Sequence, residues 1–315
     1  MSFIRAWTEA LLRHRGRKSN IVPVKRTGEL TRGNMRLGNH CLQCLYEKEE
    51  RMTSDEAYLS EVRNALSRWD AAESAPYMEF VINGIYEKHF GKANRYGEIK
   101  KQFNDLVLSM ADSIQARIDS SDDPLKTALF MARIGNYIDF GALKTISPDD
   151  FIRLLSDYSL SQEDEAAYCA FINSCRAANS FLLLADNCGE IVLDTLMLEQ
   201  LHRRFPQLAL YVMVRGSEVL NDVTIEDAYY VGTDRFASII ASGAPVAGTE
   251  YRMLSEEAKA VFDATDLIFA KGQGNYESVA GCGKHVFYSF LCKCDLFMQH
   301  FNVPRFTGML IEEKN

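Results

Sequence analysis

Two rhythms divide the chain. From about Cys41 to Cys175 apolar residues recur every three or four positions, and after Ser180 they gather into short unbroken runs. The first rhythm is that of amphipathic helices. It runs through "SDEAYLSEVRNALSRWDAAE", where Ser54 is a suitable N-cap, and through "YGEIKKQFNDLVLSMADSIQARIDS". It continues in "DPLKTALFMARIGNYIDF", where Pro124 suits a first helical turn, and in "SPDDFIRLLSDY", with Ser147 as N-cap. The second rhythm predicts strands at 181–185, 208–214, 266–270 and 285–291, with a weaker fifth in "GMLIEE". Helical stretches separate most of them, at 190–204, 224–230, 234–242 and 254–263. Apolar strands alternating with helices imply a parallel sheet covered on both faces. The expected fold is therefore α/β: a three-layer α/β/α sandwich with a mostly parallel sheet, preceded by an all-helical domain. The expected domains are a basic, poorly ordered extension (1–34), a helical domain (35–178) and an α/β domain (179–315).

Composition narrows the field. The chain has 315 residues, 47% of them hydrophobic and 25% charged, which suits a folded core. No run approaches the roughly 18–20 apolar residues of a membrane span, so no membrane partner is expected. A net charge of −8 argues against nucleic acid, whose phosphates need a basic face. Residues 1–36 break this pattern with nine Lys or Arg against two acids, Glu9 and Glu29. Such a segment reads either as an Arg-rich targeting peptide beginning "FIRAWTEALLRH" or as an extension ahead of Met35. Eight cysteines with no secretory apolar core point to thiols in a reducing, cytoplasmic setting. Cys41/Cys44 and Cys292/Cys294 are closely paired, which admits a shared zinc, a redox pair or simple packing.

In open α/β sheets ligands bind at the carboxyl ends of the strands. There the chain reads Asp186-Asn187-Cys188-Gly189-Glu190 after the first strand. After the second it reads Arg215-Gly216 leading to Asn221-Asp222, and after a later one Lys271-Gly272-Gln273-Gly274-Asn275. Two aspartates and an asparagine carbonyl are hard oxygen ligands, suited to Mg²⁺ or Mn²⁺. Lys271 followed by glycines suits a phosphate, and the helix start after Gly189 adds a positive dipole end. Each stretch alone is equally a turn or an N-cap. Their recurrence at strand ends points to phosphoryl chemistry. There is no P-loop, no G-x-G-x-x-G after the first strand, no G-x-S-x-G and no H-E-x-x-H.

Together, "DNCGEIVLDTLMLEQL", "GSEVLNDVTIEDAYYVG" and "AKGQGNYES" resemble the metal-dependent damage-control phosphatases, long known as a domain of unknown function. "MRLGNHCLQCLYEK" resembles the branch of that family with an N-terminal Cys-x-x-Cys, and "RIGNYIDFGAL" resembles its Gly-Asn-x-x-Asp-Phe-Gly motif. The resemblance runs over about 35–313. It implies metal ligation by Asp186, Asn187 and Asp222, and catalysis by Asp186, Asp222 and Lys271. It further implies phosphate contact by Lys271 and the 271–275 backbone, including Gly272, Gly274 and Asn275. Glu190, Asn136 and Asp139 match motif positions expected to line the pocket. Arg215, Lys100 and Asn104 lie nearby in the pattern, the last two without the Asp-Pro-Tyr expected before them. The implied cofactor is a divalent ion (Mn²⁺, Mg²⁺, Co²⁺ or Ni²⁺), and the implied partner is a small phosphorylated metabolite such as a sugar phosphate or a damaged phosphometabolite. A metal-positioned water and an aspartyl-phosphate on Asp186 both remain open. The competing readings are a non-catalytic sugar-phosphate or nucleotide-binding regulator and a cysteine-centred zinc or redox protein.

Overall fold

The computed structural model describes residues 39–69, 73–92, 96–137, 153, 155 and 160–314. Seven described helices come first: α1 (Asn39–Met52), α2 (Glu56–Ser67), α3 (Ala75–Phe90), α4 (Gly97–Leu108), α5 (Ala111–Asp119), α6 (Pro124–Gly135) and α7 (Gln162–Ala177). Strands and helices then alternate. They are β1 (Ser180–Leu184), α8 (Glu190–Arg204), β2 (Ala209–Val214), α9 (Ile225–Tyr230), β3 (Ser238–Ala241) and α10 (Glu256–Ala264). The chain ends with β4 (Leu267–Lys271), α11 (Gly272–Val279), β5 (Val286–Leu291), α12 (Asp295–Phe301) and β6 (Gly308–Glu313).

Pro124 opens α6 as expected, behind an Asp123 cap. The cap of α2 is Asp55 rather than Ser54, its carboxylate accepting from Tyr58 N. A capping box of Ser161 and Asp164 starts α7. Residues 1–34, Asp139 and most of the stretch capped by Ser147 lie outside the described residues.

The sheet has six strands in the order β3-β2-β1-β4-β5-β6, parallel except for the antiparallel pair β5–β6. The three-layer reading therefore holds, with one correction. Residues 234–242 were expected to be helical, but only Thr233–Arg235 form a 3₁₀ turn and Ser238–Ala241 are β3. Ile239 and Ile240 pair with Val212 and Met213 of β2, where β-branched side chains suit a pleated surface better than a helix.

Side chains alternate across the sheet. Phe181 and Leu183 of β1, with Leu267 and Phe269 of β4, face a core that includes buried residues of α4 to α8. Leu182, Leu184, Ile268 and Ala270 face the opposite core, shared with α10, α11 and α12. Helices α1 to α3 close around a separate cluster of Tyr58, Leu59, Val62, Leu66, Met78 and Ile82. The apolar contacts thus do not divide at residue 178, since α4 to α7 are a layer of the sandwich itself. In the strand order, β1 has β2 on one side and β4 on the other. This is the switch point at whose carboxyl end α/β proteins bind ligands. Among the described residues no helix is long and apolar enough to cross a membrane.

Candidate active site

Backbone hydrogen bonds gather the acidic loops at that switch point. Val223 N donates to Asp186 O (2.9 Å), Cys188 N to Asn221 O (2.8 Å) and Arg215 N to Val223 O (2.8 Å). Asn187 and Asp222 form an antiparallel bridge, so the loops after β1 and β2 lie side by side. Oδ2 of Asp186 accepts from Nδ2 of Asn136 (2.9 Å) and of Asn187 (2.7 Å). Asp222 Oδ2 accepts from Arg215 Nε at 2.7 Å, while Arg215 Nη2 stands 3.7 Å from Asp186 Oδ1. Asn275 ties the strand ends together, its Nδ2 donating to Leu184 O, Ala185 O and Lys271 O. Asp186, Asn187, Asp222, Asn136 and Glu190 thus come together around the end of β1.

Lys271 takes a different place from the one its sequence context suggests. It is the last residue of β4 and shares the face of Leu267 and Phe269, so its side chain runs beneath α6 and α8 rather than out to the rim. Its Nζ is fully buried, 2.6 Å from Asp194 Oδ1, 2.8 Å from Glu190 Oε1 and 2.9 Å from Ala132 O. The ammonium donates to Asp194 and Ala132, and Glu190 faces it as an ion pair. The segment after it is not a loop but the first turn of α11. Gly274 serves packing there, since a Cβ would lie 2.2 Å from Ala247 O. The start of α8 is likewise engaged: Asn104 of α4 accepts from Gly189 N at 2.6 Å, and neighbouring Lys100 pairs with Asp227 at 2.7 Å. Both sequence-predicted anion sites, Lys271 and the α8 N-terminus, are therefore occupied by the protein's own groups.

Charge does not balance in this site. Four carboxylates, those of Asp186, Glu190, Asp194 and Asp222, are linked there with two cations, Arg215 and Lys271. Burial, then Asp222 and Glu190, push Asp186 up to about 8 despite Arg215 and Lys293. Burial pushes Asp194 up to about 7, against the pull of Lys271, and raises Asp222 as well. Burial alone would lower Lys271, but Asp194 and Glu190 outweigh it and keep the ammonium charged. Even with Lys293 counted at the rim, buried carboxylates outnumber the cations that act on them, so the site favours added positive charge. Among the described residues no three His, Cys, Asp or Glu side chains are grouped to hold a metal. The oxygen set of Asp186, Asn187 and Asp222 would need an amide and solvent to complete a shell. Among the described residues the same observation leaves no four-cysteine zinc site.

The profile of the "damage-control phosphatase ARMT1-like domain" matches residues 36–307. The chain belongs to this family. A damage-control phosphatase of Archaeoglobus fulgidus is 27% identical over 276 residues, 83% of this chain and 93% of its own. Damage-control phosphatase PH1575 of Pyrococcus horikoshii is 25% identical over 233 residues, 72% of this chain and 77% of its own. A crystal structure of the same PH1575, a DUF89 family protein, superposes with a TM-score of 0.75 at 22% identity. It covers 89% of this chain and 99% of its own, which shows the shared fold. The match names the family as a whole, not the Cys-x-x-Cys branch.

Two residues of this damage-control phosphatase family member escape a reading by motif. Asp194 looks like an ordinary helix position, although it stands one turn beyond Glu190. Lys293 is hidden between two cysteines, yet it follows β5 at the same rim and its charge favours ionised Asp186. Its backbone N donates to Gln273 Oε1 at 2.8 Å, linking it to α11. Strand-end position was the available signal for Lys293; nothing in the sequence marks Asp194.

Gly272 makes a sharp test of the packing. It sits at φ 76°, and a Cβ would lie 2.0 Å from Asp186 Oδ2. Gly272→Ala is expected to cost more than about 1 kcal/mol in thermal unfolding, from the left-handed backbone and the displaced carboxylate. It should also weaken Mn²⁺ binding at least about tenfold. Gly84→Ala, in the interior of α3 with nothing within 4 Å of its Cβ, is the control: it should stabilise by up to about 1 kcal/mol and leave Mn²⁺ binding unchanged. Equal behaviour of the two variants in melting and Mn²⁺ titration would refute the packing argument.

Proposed function

We propose that this chain is a divalent-metal-dependent phosphatase that hydrolyses small phosphorylated metabolites, sugar phosphates or damaged phosphometabolites among them. The observation that carries the reading is the cluster of buried carboxylates, raised by burial and by one another, at the switch point. Asp186, Asp222 and the amide oxygen of Asn187 would hold the ion, and hard oxygen donors suit Mg²⁺ or Mn²⁺ and admit Co²⁺ or Ni²⁺. Bound there, such an ion would neutralise phosphoryl oxygens and acidify water. The relatives described as damage-control phosphatases support the substrate class.

The chain's own groups then have distinct tasks. Asn136 and Asn187 pin one oxygen of Asp186, which fixes the direction of the other. Arg215, buried to 1% exposure, holds Asp222 and limits the repulsion between the two aspartates. We assign phosphate contact to Lys293, at the rim, and to the N-terminal turn of α11. Eight cysteines in the chain suit a reducing compartment, and we assign the enzyme to the cytoplasm on that ground.

The test is hydrolysis of p-nitrophenyl phosphate and a panel of sugar phosphates by purified protein with Mn²⁺, Mg²⁺, Co²⁺ or Ni²⁺, before and after chelation. Turnover is expected with at least one ion and is expected to vanish in chelator, returning on re-addition. Full activity in chelator would overturn the metal assignment, and no hydrolysis of any ester would favour the non-catalytic reading.

A further inference from the structure

The interior beneath the site contains a chain of charges that the chemistry above does not use. Glu190 and Asp194 stand one turn apart on α8, so both carboxylates lie on one face of the helix. Both are fully buried, and both reach Lys271 Nζ from β4. Such a triad is costly to bury, because each ion must be stripped of water.

We propose that Asp194, Lys271 and Glu190 form a positioning relay that fixes the amide of Asn187 with its carbonyl oxygen turned away from both acids, so that it would be free to ligate a cation. The inference rests on the metal reading given above. An ionised carboxylate only accepts hydrogen bonds. Glu190 is ion-paired with Lys271 through Oε1 and presents Oε2 to two amides, Asn136 Nδ2 and Asn187 Nδ2, each at 3.1 Å. Both amides must therefore show Glu190 their NH₂ ends. For Asn136 the carbonyl end then accepts from Leu291 N at 3.4 Å. Asn187 donates to both Glu190 and Asp186, so its carbonyl oxygen is turned away from both acids. A half-turn of that amide would set its oxygen against Glu190 Oε2 at 3.1 Å and, with Asp186 ionised to hold a cation, against Asp186 Oδ2 at 2.7 Å. The orientation thus follows from the hydrogen-bond pattern. Lys271 keeps Glu190 in place, and Asp194 anchors Lys271 from its other side at 2.6 Å. Partners of this kind, one bond removed from the ligands, orient metal sites. Lys271 is on this account a positioning residue.

Full-length protein, Lys271→Met and Asp194→Asn should be compared in three measurements: Mn²⁺ affinity by calorimetry, inhibition by inorganic phosphate at saturating Mn²⁺, and kcat and KM for p-nitrophenyl phosphate. Lys271→Met is expected to weaken Mn²⁺ about ten- to hundredfold. Asp194→Asn, which keeps shape and one acceptor, should weaken it in the same direction by less. Combining them should add little to Lys271→Met alone, because both break one chain of contacts. Inhibition by phosphate at saturating Mn²⁺ should change by no more than about twofold in either variant. A Lys271 that touched phosphate directly would give the reverse: Mn²⁺ affinity unchanged and phosphate inhibition lost. Should Lys271→Met fail to fold, Asp194→Asn decides alone, and unaltered Mn²⁺ affinity in it overturns the relay. Wild-type protein that binds none of the four ions sinks the metal reading, a result distinct from wild-type binding with indifferent variants.

Discussion

Asp186→Asn is expected to lower turnover by about a thousandfold or more while making the metal-free protein more stable near neutral pH. The two effects come from the same cause. Asp186 is a carboxylate kept among carboxylates, raised to about 8 by burial first and then by Asp222 and Glu190. In unfolded chain an aspartate titrates near about 4, so the folded state binds the extra proton between roughly pH 4 and pH 8. A raised carboxyl pKa means that the native state loses stability as pH climbs through that window. Replacing the acid by its neutral amide removes this penalty, and the advantage should widen from about pH 4 upward and level off near pH 8. Added Mn²⁺ reverses the order, because only the wild-type carboxylate gains from the ion. Thermal melts of both proteins across pH, with and without Mn²⁺, check the claim together with p-nitrophenyl phosphate turnover. A variant that is less stable than wild type in chelator at pH 8 would show that Asp186 serves the fold rather than the ion.

Metal binding itself is expected to release protons and to tighten steeply as pH rises. Asp186 and Asp194 are raised to about 8 and about 7, and Asp222 is raised with them. At neutral pH the metal-free site therefore holds protons in place of added positive charge. Mn²⁺ must displace them, because ligands bind deprotonated. For each proton released, affinity should rise by up to about tenfold per pH unit, between about pH 6 and pH 8, and then flatten. Calorimetric titration in two buffers of different ionisation heat counts the protons directly. Binding that releases none, with affinity flat from pH 6 to 8, would mean the carboxylates are already ionised and the charge argument is wrong.

Much of this was legible before any tertiary structure. The unbroken apolar runs announced strands buried on both faces, because only a sheet covered by helices can hide both sides of "FLLLA" and "DLIFA". The polar residues that stop those runs, Asp186-Asn187 and Asn221-Asp222, were therefore readable as a strand-end site. Residues 234–242 were misread because "RFASIIAS" has apolar spacing that suits a helix, while its fate as β3 depended on the open edge of β2. Asp139 and the segment 1–34 stand outside the described residues.

What the chain by itself determined was the location and the oxygen-rich character of the site, since local sequence decides where strands end and which side chains cluster there. What only the tertiary structure decided was which way the charges point. A strand residue's face depends on register, so Lys271, adjacent to a glycine turn, proved to run inward to Glu190 and Asp194 with Leu267 and Phe269 beside it. The start of α8, free by sequence, was claimed by Asn104 from a helix 85 residues away, and Lys293 entered the site only because β5 lies next to β4. Those pairings are made across the fold, where burial strips away water and leaves each charge to find a partner that no neighbouring residue specifies.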